Sequence, residues 1–226
     1  MPKFTPNGPL IHSRLILCEG PHDAAFFRQL ITERALPDFH VRCDSAHPGK
    51  DGFGFALTGI GSLTGFQRIK HIIIATDSDN NPNDSFGHVI DKIKDSEYLD
   101  PATGRARKYQ VMPKAPHVQA GNSPSLSVLL IPWLDRSGAL ETLCLEAAAR
   151  NNETALACVY THAVCTGADA WGAETAKAKM RLRALICSTY EQGPDIGLGN
   201  IWRDEPNLVP INDDAFDQIA DFLSAI

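Results

Sequence analysis

Apolar positions along the chain follow two rhythms. Short unbroken runs at Arg14-Leu-Ile-Leu-Cys18, His71-Ile-Ile-Ile-Ala-Thr76 and Leu126 to Ile131 read as buried strands. Phe39-His-Val-Arg-Cys43 is a further short strand candidate. Pro21 suits the first position of a helix, and Ala24, Phe26, Phe27, Leu30 and Ile31 continue it at helical spacing. A second helix is predicted from Asp84 or Ser85 to about Asp95, and others at about 138–150, 153–165, 172–190 and 213–224. Residues 47–65, with six glycines, read partly as loop and partly as weak helix. Two stretches lack periodicity and are predicted irregular: a long surface connection over 99–125 and a Gly/Pro-rich break over 193–210. Strands alternate with helices in the first two-thirds, and helices alone follow. That order predicts an α/β fold, a mainly parallel central sheet of about four strands flanked by helices, with a helical C-terminal extension.

Composition narrows the class. At 226 residues the chain is one domain or one with an appendage, and 43% hydrophobic residues exclude a disordered chain. No apolar run reaches the ~18 residues of a membrane span. The start, Met1 to Pro9, has no apolar stretch of the export type, so a cytoplasmic protein with no membrane partner is expected. Twenty-seven acidic residues against 21 basic, net −6, argue against a protein that coats DNA non-specifically. The six cysteines are scattered without a CxxC pair and read as reduced, mostly buried thiols of an intracellular protein. Cys158, His162 and Cys165 share a helix face, but zinc needs a fourth ligand, and the surrounding apolar residues read as core.

The candidate chemistry lies where strands end. Glu19 follows the first apolar run, and Asp77 and Asp79 follow the run at 71–76. Ligands of open α/β sheets bind beyond the carboxyl ends of the strands. Carboxylates converging there repel one another unless a cation holds them, and hard divalent ions take oxygen ligands of this kind. Read one at a time, Glu19-Gly20 and Asp77-Ser-Asp-Asn-Asn-Pro82 are ordinary polar turns. Pro82 in place of the turn glycine and the missing closing Glu exclude an EF-hand. No GxxxxGK[ST] sequence is present, and no Ser-His-Asp or Cys-His arrangement is legible. Gly59-Ile-Gly61-Ser-Leu-Thr-Gly65 follows no clear strand and is a weak dinucleotide signal. His22 lies beside the carboxylates, but a histidine in a first helical turn is ordinarily just exposed.

Leu15-Ile-Leu-Cys-Glu19-Gly20-Pro-His-Asp23-Ala-Ala-Phe-Phe resembles the first motif of the Toprim domain shared by topoisomerases, primases and certain nucleases. Ile73-Ile-Ala-Thr-Asp77-Ser-Asp79 resembles its second motif, a strand followed by Asp-x-Asp. Val128 to Glu141, Lys177-Ala-Lys179 and Gly197-Leu-Gly199 are similar to small stand-alone Toprim proteins related to the overcoming-lysogenization-defect nucleases. The resemblance implies a Toprim-like core over residues 13–135, with 136–226 as a helical extension packed on it in one unit. It departs from the pattern at Asn80-Asn81-Pro82, where a glycine often follows Asp-x-Asp, and at Cys18, where Val or Ala is usual.

What the resemblance implies is a nuclease using one or two Mg²⁺ or Mn²⁺ ions on DNA or RNA. Glu19 is then a metal ligand or general acid/base, Asp77 and Asp79 are metal ligands, and Asp23 is a weaker ligand or outer partner. Glu141 is the best match for the ligand of a second ion. A lysine stabilises charge on the phosphate. Lys177 and Lys179 cannot both face one way at i, i+2, and Lys177 is the one expected to reach the site. Related nucleases are often fused to or paired with an ATPase, so an ATPase partner is a further expectation. The alternative is a catalytically silent Toprim module that binds metal and a nucleotide or phosphate ligand within such a complex. Topoisomerase and primase activities are disfavoured, because no second domain accompanies the core. Eight of the 21 basic residues fall within 105–114 and 177–183, so the acidic net charge does not exclude contact with a phosphate backbone.

Overall fold

The computed structural model describes residues 8–43, 49–50, 52–100, 102–122, 124–133 and 135–226. Within them the strands are β1 (Arg14–Cys18), β2 (His40–Cys43), β3 (His71–Asp77), β4 (Glu97–Leu99), β5 (Ala106–Lys108) and β6 (Ser125–Ile131). Four form a parallel sheet in the order β2-β1-β3-β6, while β4 and β5 pair as a separate antiparallel hairpin. The helices are α1 (Pro21–Glu33), α2 (Gly52–Gly59), α3 (Pro82–Asp95), α4 (Leu140–Ala149), α5 (Glu153–Cys165), α6 (Glu174–Thr189), α7 (Leu198–Asp204) and α8 (Asp217–Ser224). The expected α/β fold, with a four-stranded parallel sheet, flanking helices and a helical C-terminal region, is what the chain adopts.

The unbroken apolar runs follow from burial on both faces, as in parallel sheets generally. Ile16, Cys18, Ile73, Ala75, Leu129 and Ile131 point to one face, where α1, α4, α6, α7 and α8 cover them. Leu15, Leu17, Ile72, Ile74, Val128 and Leu130 point to the other, covered by α2, α3 and Tyr109. Phe26 of α1 ties the C-terminal helices into the first layer, with its ring 5.6 Å from Trp202 and 5.1 Å from Phe216. Its truncation to Ala would leave a cavity worth about 3–5 kcal/mol. The chain leaves β1 through α1 on one face to reach β2, then crosses back through α2 on the other face to reach β3. The strand order therefore reverses between β1 and β3, which makes their carboxyl ends the topological switch point.

The outer edge of β6 is closed by the segment before it. Ala120 exchanges backbone hydrogen bonds with Leu126 (both 2.8 Å), and His117 N donates to Val128 O at 2.8 Å. Leu130 N donates to the ring of His117 at Nε2 (3.1 Å), so a side chain completes the ladder. The imidazole stacks on Trp133 at 3.7 Å between centroids.

Several expectations are corrected. The 99–125 connection is not wholly irregular: the β4–β5 hairpin enters it, Tyr109 is buried, and residues 117–120 line β6. The 193–210 break contains α7, held by buried Leu198, Ile201 and Trp202. Half the cysteines are exposed (Cys158, Cys165, Cys187), the first two because α5 buries Leu156, Val159 and Ala163 and turns its Cys-His-Cys positions outward. Of the stretches read from sequence, residues 1–7, 47, 48, 51, 101, 123 and 134 lie outside the described residues. No helix among the described residues is long and apolar enough to cross a membrane.

Candidate functional site

The ends of two strands and the starts of two helices meet at the switch point. β1 ends at Cys18, so Glu19 leaves the sheet beside Asp77, the last residue of β3. Glu19 Oε1 accepts from Asp77 N at 3.1 Å and from the Thr76 hydroxyl, which locks one oxygen of the carboxylate to the neighbouring strand. Asp77 Oδ1 accepts from Leu140 N at 3.1 Å, the first residue of α4. Helix starts carry unpaired N–H groups and the positive end of the dipole. One carboxylate thus fixes α4 against β3. Asp23, in the first turn of α1, accepts from Gly20 N at 3.0 Å through Oδ2, a bond that caps that helix. Glu141 sits in the first turn of α4.

These four acids share one electrostatic environment. Burial, followed by the charges of Glu19 and Glu141, pushes the Asp23 carboxyl from 3.8 up to about 7. Burial, followed by Glu19 and Asp23 and then Glu141, pushes Asp77 well above the usual carboxylate range. The counter-charge is Lys179, whose Nζ lies 3.4 Å from Asp77 Oδ2. Burial alone lowers the Lys179 ammonium, but Asp77, Glu141 and Glu19 outweigh it and raise it. One cation among four crowded acids is too little to relieve their repulsion.

Asp79 stands apart from this group. Its φ of +51° places it in the left-handed region, which Asp tolerates better than most residues. Its backbone exchanges hydrogen bonds with Gly138, at 2.9 Å from Asp79 N and 2.7 Å from Gly138 N. Gly138 has φ +135°, and a Cβ there would fall 2.5 Å from Thr142 Oγ1, so only glycine fits the bridge. The Asp79 carboxylate pairs with Lys50, which also donates to Ser85 Oγ at 2.7 Å. If Lys50 holds this carboxylate away from the others, Lys50→Met should release it and tighten Mn²⁺ binding about three- to ten-fold, since affinity follows ligand charge count. Isothermal calorimetry measures the change, and an unaltered affinity would show that Asp79 plays no part in cation binding.

Of the two candidate lysines, it is Lys179 that lies beside the carboxylates. Lys177, the less exposed of the two, pairs through Nζ with Glu174 at 2.9 Å, whereas Lys179 is the one that meets the carboxylates. Positions 179, 182, 183 and 186 line one cavity at i, i+3, i+4 and i+7, so the apolar phase of α6 already carried the distinction. Lys179→Met should therefore lower metal-free stability at pH 8 by about 1 kcal/mol, discounted for its half-exposed ammonium. Lys177→Met should stay within about 0.5 kcal/mol of wild type by thermal denaturation. Thr76, Lys50 and the Leu140 N–H are the other participants that motif reasoning missed.

The donor set suits a hard divalent ion: all-oxygen, crowded, partly desolvated and short of positive charge. Glu19, Asp23, Asp77 and Glu141 are the residues that would hold it. As the side chains stand, no three acidic, histidine or cysteine residues among those described form a ready ligand cage. Comparison with curated proteins finds no match, and comparison with solved structures finds none either. A family model described as a protein of unknown function (DUF3226) matches residues 13–224, and the chain belongs to that family.

Proposed function

We propose that the chain is a Mg²⁺-dependent phosphodiester hydrolase, a nuclease acting on DNA or RNA, built on a Toprim-like core over residues 13–135. The observation that carries the reading is the meeting of Glu19, Asp23, Asp77 and Glu141 at the switch point with Lys179 as their counter-charge. Bound there, a divalent ion supplies a Lewis acid for a phosphoryl oxygen and lowers the pKa of a water. The chain's own residues do the rest. Thr76 and the Asp77 N–H orient the Glu19 carboxylate, leaving Oε2 to hold a ligand or a proton. Lys179, rather than Lys177, offers positive charge to a phosphate oxygen. On this reading the partner is nucleic acid and the setting is the cytoplasm.

A second reading is favoured by one observation. Asp79 is committed to Lys50, as in a module that binds a cation and a phosphate ligand without turnover. Such a module would serve as the subunit of a complex containing an ATPase. Incubation of the purified chain with plasmid and with labelled oligonucleotides, in Mg²⁺ or Mn²⁺, decides between them. Cation-dependent cleavage that falls at least about 100-fold in Glu19→Gln supports the nuclease. Mn²⁺ binding by calorimetry without cleavage supports the module, and neither result would remove both.

A further inference from the structure

A cavity of about 200 Å³ opens beside the carboxylates, between the start of α1, the start of α4 and the length of α6. Its polar lining is His22, Lys179, Arg183 and Glu141, and its apolar floor is Leu182, Ile186 and Leu198. Glu141 and Lys179 belong to the carboxylate group as well, so the cavity continues directly from it. Ligand pockets for whole drug-sized molecules run to about 300–1,000 Å³. This one has room for a phosphate and its sugar.

The chain fixes the polar groups in advance. Gly199 N donates to His22 Nδ1 at 3.1 Å. A ring nitrogen that accepts carries no proton, so in the neutral ring the proton is on Nε2, a donor. No other hydrogen bond to the His22 ring is made among the described residues. The bond requires close approach of α7: a Cβ at Gly199 would lie 3.0 Å from Ala25 Cβ and 3.3 Å from His22 Nδ1, and one at Gly197 would lie 3.2 Å from His22 Cε1. Arg183 Nη1 donates to Ile196 O at 2.5 Å, which anchors one corner of the guanidinium and leaves its other donors for a ligand. Three donors (imidazole, ammonium and guanidinium) thus rim an apolar floor next to a site that attracts cations. Glu141 is the one acid on the rim, on the side shared with the carboxylates.

We propose that this cavity is a subsite for the nucleotide flanking the reacting phosphate, taking its phosphate on His22, Lys179 and Arg183 and its sugar on Leu182, Ile186 and Leu198. The subsite rests on the reading of the neighbouring carboxylates as a phosphodiester site. It gives the glycines at 197 and 199 a purpose: they bring α7 close enough to set the His22 ring.

Thymidine 5′-monophosphate and inorganic phosphate, titrated into the isotopically labelled chain, test this by NMR at His22 Cε1–H and the Gly199 amide. Thymidine monophosphate is expected to shift both resonances saturably and to bind more tightly than inorganic phosphate, because only the nucleotide reaches the floor. Arg183→Ala is expected to weaken it about ten-fold. His22→Asn keeps an acceptor near the Nδ1 position but has no Nε2 donor. It is expected to keep the wild-type melting temperature and bind about five- to ten-fold more weakly. His22→Ala is expected to lose both. No saturable shift, or His22→Asn binding as wild type does, overturns the subsite. Calorimetry with Mn²⁺ on the same protein separates the two readings. Mn²⁺ binding without a nucleotide shift removes the subsite alone, and a nucleotide shift without Mn²⁺ binding removes the cation site alone.

Discussion

Asp77→Asn is expected to lower divalent-cation-dependent cleavage about a thousand-fold while raising the melting temperature of the metal-free protein. Both effects come from one side chain. A metal ligand supports several kcal/mol of transition-state stabilisation, and about 1.4 kcal/mol is a factor of ten. Yet burial, followed by the charges of Glu19, Asp23 and Glu141, holds the Asp77 carboxyl well above the usual range, so its ionised form strains the fold when no cation is present. Asparagine keeps an oxygen for the Leu140 N–H and removes the charge. Part of the gain is offset by the lost contact with Lys179, and a net gain should remain at pH 8. Thermal denaturation and a cleavage assay on the same preparation read both effects. A variant that loses activity and also melts lower would show that Asp77 holds the fold together rather than taxing it.

The second expectation concerns pH. A carboxyl whose pKa is raised on folding binds more protons in the folded state than in the unfolded, so stability falls as pH rises. For Asp23 the loss begins near its ordinary 3.8 and is complete only above about 7, and Asp77 adds to it in the same direction. Histidines lowered by burial work the other way, His71 among them. His40 and His117 are lowered from 6.5 to about 4, chiefly by burial, so their contribution is full above 6.5 and lost as pH falls through 4. Below pH 6.5 the two effects oppose each other. Above it the carboxylates act alone, and metal-free stability should drop by on the order of 1–2 kcal/mol between pH 6.5 and 8.5. For a chain of this length that is about 3–6 °C in melting temperature. Saturating Mg²⁺ should flatten the slope, since a cation that binds the ionised acids stabilises the fold by mass action. A slope that Mg²⁺ leaves unchanged would mean that the acids titrate without sharing an ion.

Glu19 and Asp77 were legible in the sequence because each ends an unbroken apolar run, and a strand buried on both faces has to stop where its carboxylate begins. Asp23 followed from its place in the first turn after Pro21. Asp79 was not legible. Its left-handed backbone and its pairing with Lys50 depend on Gly138 and on a residue 29 positions away, and neither leaves a mark on a local pattern. The choice between Lys177 and Lys179 is legible in helical phase, because Leu182 and Ile186 share the phase of 179. Helix α7 escaped notice because seven residues among glycines and prolines give too little periodicity. Its three buried residues show their purpose only against α1. The exposure of Cys158 and Cys165 leaves no mark on the pattern for a similar reason: α5 is apolar on more than the face it buries.

The imidazole that completes the ladder on β6 also limits how this molecule can associate. Leu126, Val128 and Leu130 have backbone groups turned outward that would otherwise template another strand, and residues 117–120 already occupy them. Neither a peptide recruited by β-augmentation nor a second copy can extend the sheet on that side without first displacing His117 from its stack on Trp133. Any assembly this protein enters through that side must be built from side chains and helices rather than from a shared sheet.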